Sequence, residues 1–148
     1  MKRSIKNIIL IGFVLSITQC SMADDIITED LNKLPLAAKE CITTHFSDHN
    51  ISYIEIDNEI FGNNYEVIFT NGAKIEFDSQ GQWKEIKCKR SSVPSALIPS
   101  GILDYLNKNF QDDKVVKIEK KQKKYELELS NGLELLLDTN GKLYKIDD

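Results

Sequence analysis

One pattern occurs twice in this chain, and that repetition limits the fold more than any other feature. Leu34-Pro35 opens a helical pattern that closes at Phe46; Ile98-Pro99 opens another, 64 positions on, that closes at Phe110. Ile54-Glu55 returns as Ile118-Glu119 at the same offset. The offset then falls to 60 and holds to the end. Tyr65-Glu66-Val67 returns as Tyr125-Glu126-Leu127, Thr70-Asn71-Gly72 as Ser130-Asn131-Gly132, and Ile75-Glu76-Phe77-Asp78 as Leu135-Leu136-Leu137-Asp138. Gly81 matches Gly141, and Ile86 matches Ile146. An ordered series of this kind reads as an internal duplication, with residues 24–90 as the first copy and 91–148 as the second.

Each copy predicts one helix followed by about four antiparallel strands. Ile102, Leu106 and Phe110 recur every four residues and give a helix with one apolar face, as do Ala38, Ile42 and Phe46. Pro35 and Pro99 suit a first helical turn, where an N–H has no helical partner. Tyr125, Leu127 and Leu129 alternate with Glu126 and Glu128, the period of a half-buried strand. Asn71-Gly72 and Asn131-Gly132 predict tight hairpins with primed turns. Asp78-Ser79-Gln80-Gly81 and Asp138-Thr139-Asn140-Gly141 predict the next turns, with glycine left-handed. One such unit has a thin core and an open edge. Two side by side share a continuous sheet and cover both helices. The fold class is therefore α+β: two tandem repeats, sheet packed on helices, forming one globular unit joined through Lys89–Ser95.

The N-terminus is set apart. Lys2, Arg3 and Lys6 precede the short apolar run Ile8–Leu15, and Ser21-Met22-Ala23 offers small residues for cleavage. Residues 1–23 read as a secretory signal peptide. Cys20 leaves a lipid anchor open as the alternative. The export route predicts a periplasmic or secreted protein. No other apolar stretch is long enough to span a bilayer. The net charge of −4 becomes more negative once that basic leader is lost, which argues against nucleic-acid partners. Two further cysteines, Cys41 and Cys88, form a candidate disulfide in an oxidising compartment, with two separate buried thiols as the alternative.

Residues that carry chemistry are sparse. His45 and His49 stand one helical turn apart and resemble an inverted zinc-peptidase motif, with Asp48 beside them. A small metal-dependent hydrolase built on that pair is one alternative function. The segment ends a helix, where histidine also complements the dipole, and the repeat puts Asn109 in place of His45. Asp138-Thr139-Asn140-Gly141 resembles the start of a calcium loop but lacks the later ligands. No nucleophile elbow or phosphate loop is present, so no catalytic residue, metal or cofactor is assigned. Charge is uneven. Residues 55–78 are acidic, whereas Lys117, Lys120, Lys121, Lys123 and Lys124 cluster in a predicted hairpin, a candidate surface for a charged partner or a solvated, lysine-guarded edge. Trp83, with Tyr53, Phe61 and Tyr65, reads as core before it reads as a partner anchor.

The paired pattern resembles a known family. Leu34-Pro35, Tyr65-Glu66-Val67, Asn71-Gly72, Phe77-Asp78 and Gly81 in one copy carry the resemblance. So do Val93–Pro99, Tyr125-Glu126-Leu127, Asn131–Glu134, Asp138 and Gly141 in the other. These residues look like those of secreted bacterial β-lactamase-inhibitor-like proteins with PepSY-like domains. The resemblance implies antiparallel sheet backed by helices, an envelope or secreted location, and a non-catalytic binding role. The partner would be a protein or peptide recognised through the sheet face or edge, with inhibition of a protease or other envelope enzyme as one version. A structural or accessory envelope protein is the remaining alternative.

Overall fold

A computed structural model describes residues 25–58 and 62–148. The expected leader (residues 1–23), Cys20 and Phe61 lie outside the described residues. Nine strands form one antiparallel sheet in strict chain order: β1 (Ile26–Thr28), β2 (Ile51–Asp57), β3 (Asn64–Phe69), β4 (Lys74–Phe77), β5 (Trp83–Lys87), β6 (Val115–Lys121), β7 (Lys124–Leu129), β8 (Glu134–Asp138) and β9 (Leu143–Asp147). Helix α1 (Leu36–His45) precedes β2, and α2 (Ser100–Asn109) precedes β6. Each helix is thus followed by a four-strand meander, and β5 pairs with β6 to make the sheet continuous.

The strand registers place one aliphatic residue from each of seven consecutive strands in a single row. Ile54 stands opposite Val67, Val67 opposite Ile75, and Ile75 opposite Ile86. Ile86 stands opposite Ile118, then Leu127, then Leu135. All seven are fully buried. Ala38 and Ile42 of α1 and Ile102 and Leu106 of α2 close over them on the side we term the helix side. Burying a side chain of this size contributes about 1.5–3 kcal/mol, so the row is a main source of cohesion.

Both helices start one residue later than the sequence suggests. Pro35 and Pro99 sit just before the first helical residue, at ψ 153° and 140°, and cap it with their carbonyls. The Pro35 oxygen accepts the Lys39 amide at 3.1 Å, and the Pro99 oxygen accepts that of Leu103 at 3.0 Å. Both helices stop at an aromatic residue: the Phe46 amide donates to Ile42 and the Phe110 amide to Leu106. Phe46 then stacks on Phe69, with ring centroids 5.5 Å apart.

The Asn-Gly turns differ from expectation. A primed two-residue turn needs positive φ at both residues, and here Gly72 and Gly132 are left-handed while neither asparagine is. The loops instead contain three residues. The Gly72 amide donates to Phe69, and the Phe69 amide donates to Ala73 across it, both at 2.9 Å. The asparagine side chains explain the change: Asn71 Oδ1 accepts the Ala73 amide and Asn131 Oδ1 that of Leu133, closing the loop without a left-handed asparagine.

The disulfide is not formed; Cys41 and Cys88 are free thiols. Cys41 lies close enough to Lys120 to feel its charge, whereas the Cys88 amide donates to Val116. A disulfide needs Cα atoms within about 7 Å, and the two thiols belong to different elements, Cys41 to α1 and Cys88 to the segment just beyond β5. Burial raises both thiol pKa values, outweighing Lys120 at Cys41 and the Ser91 hydrogen bond at Cys88.

The β4–β5 turn rests on the first turn of α1. A Cβ on Gly81 would stand 2.8 Å from Pro35 Cβ and 2.9 Å from the Ala38 nitrogen, whereas one on Gly72 would meet nothing within 4 Å. Both glycines are left-handed, at φ +80° and +84°, so the two positions separate conformational strain from packing. Gly72→Ala should lower the unfolding free energy by about 1–2 kcal/mol. Gly81→Ala adds overpacking to that strain and should cost about 3 kcal/mol or more. Urea denaturation of the two variants checks the difference.

Candidate functional site

Among the described residues the second face of the sheet carries no helix, and it holds an ordered charge pattern. Glu55, Glu66, Glu76, Glu85, Glu119 and Glu126 stand opposite one another in register, one from each strand β2 to β7. Each adjoins in sequence a member of the buried aliphatic row, so pleating sends it to the opposite face. Like charges placed directly opposite repel. Lysines from the adjacent row, Lys74, Lys87 and Lys117, lie beside the glutamates. Lys74 Nζ bonds Glu66 at 2.6 Å and Glu76 at 3.1 Å. Lys117 bridges Glu85 at 3.2 Å and Glu119 at 3.4 Å, and Lys121 bonds Glu119 at 2.5 Å.

These contacts set the protonation states. Burial alone would raise the Glu119 carboxyl, but Lys121 and Lys117 outweigh it and hold it below its ordinary value. Burial alone would lower Lys117, but Glu85 and Glu119 outweigh it and hold it above. Lys74 is raised in the same way between Glu66 and Glu76.

Neutralisation is incomplete at one end. Among the described residues, neither Glu55 nor Asp57 has an ion pair with a cation. They line a depression of about 230 Å³ with Asn64, Glu66, Glu76 and Lys84. A broader hollow at the β6–β7 turn is lined by Lys120, Lys121, Lys123, Lys124 and Leu136.

The lysine cluster seen in the sequence is therefore divided. Lys117 and Lys121 are held by Glu119 on the open face. Lys120 alternates to the helix side and lies 3.7 Å from the Trp83 ring centroid. Lys124 lies 3.9 Å from the Tyr144 ring. Lys123 stands exposed in the turn. Trp83 is packed against the core, 6.3 Å from Tyr125. His45 and His49 are not a helical pair, because α1 ends at His45. His49 lies beyond it, edge-on to Phe46 and Phe69, so the geometry that a two-histidine metal site needs is not formed. The Asp138 carboxylate closes its own turn: Oδ1 accepts the Asn140 amide at 2.9 Å and the Lys142 amide at 3.1 Å. Asp78 does the same for Gln80 and Gln82.

The glutamate row was missed at the level of sequence. Its signal was present as a glutamate beside each core aliphatic, but the row exists only once register is known. Register here depends on irregularities at residues 51–53, 76–77 and 115–117.

Comparison with known proteins agrees with this architecture. Residues 63–145 match the family model described as "Putative beta-lactamase-inhibitor-like, PepSY-like", and the chain belongs to that family. Among solved structures, a Bacteroides thetaiotaomicron protein described as a "putative calcium-regulated periplasmic protein" is 42% identical with a TM-score of 0.78. The match covers 84% of this chain and 97% of that one. A Bacteroides vulgatus protein described as a "putative periplasmic protein of unknown function" is 45% identical with a TM-score of 0.78, over 84% of this chain and 100% of its own. A second from the same species is 40% identical with a TM-score of 0.79, over 85% and 98%. The search of curated proteins found no match. No described helix is long and apolar enough to cross a membrane. The chain is an exported protein, periplasmic or secreted.

The charge ladder makes a signed prediction for pH. A carboxylate whose folded pKa lies below its unfolded value stabilises the fold above the unfolded value. That contribution is lost as pH falls through the folded one. Unfolding free energy should therefore drop as pH falls below the 4.5 of an ordinary glutamate, and Glu119→Gln should make that drop shallower. At neutral pH Lys117→Met leaves Glu85 facing Glu119 without a shared cation and should cost about 1 kcal/mol. Urea midpoints measured across pH check both.

Proposed function

We propose that this protein is a non-catalytic recognition module that binds a protein or peptide across the open, charged face of its sheet. The observation that carries this reading is the uncovered face itself. It is built from in-register charge, with carboxylates at Glu55 and Asp57 that have no ion pair among the described residues and exposed ammonium groups at the β6–β7 turn. Such a face selects a partner by electrostatic complementarity. Its described ion pairs join glutamates or an aspartate to lysines, whereas acyl or phosphoryl chemistry needs a nucleophile with a base beside it. Family membership supports the reading, and inhibition of an envelope enzyme is its most specific version. The Bacteroides thetaiotaomicron relative is described as calcium-regulated; in this chain we assign Asp78 and Asp138 to turn closure.

We also read the two halves, 24–90 and 91–148, as copies of one helix-plus-meander unit that fold as one body. In support, matched residues close matched turns, and Glu55 and Glu119 hold corresponding places in the same row. Residues 1–23 are proposed as the cleaved leader, with a lipid anchor at Cys20 as the variant of that proposal.

The test is capture of a partner from envelope extract, followed by titration calorimetry with the purified partner. Glu55→Lys combined with Asp57→Lys should weaken binding at least about tenfold while leaving the circular dichroism spectrum unchanged. Turnover of a peptide, ester or β-lactam that His45→Ala abolishes would contradict the reading.

A further inference from the structure

The aliphatic row has an eighth member that is not covered. Ile146 on β9 stands opposite Leu135, continuing the row of seven, yet it is 46% exposed whereas Ile86 is 0% exposed. The two are counterparts in the duplicated pattern, and each faces the same position of its hairpin: Ile86 opposite Ile75, Ile146 opposite Leu135. What differs is the next strand. Ile86 is flanked by Ile118 of β6, and β9 is the sheet's last strand. At the other end β1 covers β2, with Ile27 opposite Glu55, where Glu85 of β5 stands opposite Glu119. Both end strands, β1 and β9, have an outer side with no strand beside it among the described residues; β9 is the longer, five residues against three, and carries the exposed end of the aliphatic row. Tyr144 beside it is also exposed, at 48%.

We propose that β9 is the docking edge for a second copy of this chain, joined antiparallel about a two-fold axis at Ile146. The side chains of β9 are complementary to themselves in that register. Ile146 meets Ile146 of the second copy on the helix side, completing the apolar row as Ile118 does for Ile86. Lys145 meets Asp147 of the second copy, and Asp147 meets its Lys145. Lys145 and Asp147 already form an ion pair within one chain, so the two-fold joins two pairs into a four-charge cluster. Centring one residue earlier sets lysine against lysine, and one residue later sets aspartate against aspartate, both unfavourable. Backbone direction agrees. Cys88, two residues beyond Ile86 and so on the same side of its strand, donates its amide outward to β6. The corresponding groups of β9 face the free edge, which an added strand satisfies. This association leaves the charged sheet face open and does not depend on what that face binds.

Sedimentation equilibrium over rising concentration tests it. The purified exported chain should show reversible dimerisation, and Ile146→Asp should remove it. Lys145→Asp and Asp147→Lys each place like charges opposite one another twice and should weaken the dimer about tenfold. The double variant Lys145→Asp with Asp147→Lys restores opposite charges and should return the dissociation constant to within about threefold of the parent. Lys145 and Ile146 are exposed and Asp147 is half-buried, and an unchanged melting curve shows that each variant folds. A monomer at every concentration overturns the proposal. So does a dimer that none of the variants alters, or a monomer whose β9 amides gain hydrogen-exchange protection only when a different protein is added.

Discussion

The fold depends on the burial of one aliphatic row running across the sheet from Ile54 to Leu135. Pairing of Ile86 with Ile118 is the step at which that row passes from the first half of the chain to the second. A single four-strand meander with one ten-residue helix would bury too little apolar surface to stand alone. Joined edge to edge, the halves place both helices over one continuous core. Dxx-Gly turns fix those helices against the sheet by direct contact with their first turns: Gly81 on Pro35 and Ala38, Gly141 on Gly101.

The same registers that align the aliphatic row also align the glutamates. Because side chains alternate along a strand, a row of buried isoleucine and leucine on one face dictates a row of neighbouring residues on the other. In six strands that neighbour is glutamate. Lys74, Lys117 and Lys121 offset the resulting repulsion where they reach it. Glu55 and Asp57, nearest the β1 edge, have no ion pair among the described residues. Fold and candidate site are thus two faces of one geometric fact. A change that slips the register by one residue would destroy both.

Much of this was legible in the residues. Alternation in Tyr125–Leu129, the helical spacing of Ile102, Leu106 and Phe110, and the glycine-marked turns each follow from local chemistry, and the structure contains those elements. Local chemistry erred where a side chain supplied an alternative. Asn71 and Asn131 accept backbone amides and so support a three-residue loop. Pro35 caps α1 from outside because its ψ is extended. The lysine cluster looked like one patch because five lysines are close in sequence. Alternation and ion pairing distribute Lys117, Lys120, Lys121 and Lys124 among different neighbours. Long-range facts were not legible: that Cys41 and Cys88 stay free thiols, the end of α1 before His49, and the register that assembles the glutamate row.

Native-state hydrogen exchange on the row's own amides tests the central claim most directly. If the Ile86–Ile118 pairing makes the two halves one cooperative body, the slowest amides of β3 to β5 and of β6 to β8 open with the same free energy and respond equally to added denaturant. Two distinct opening free energies, one for each half, would show that the row does not bind them together and would contradict the account.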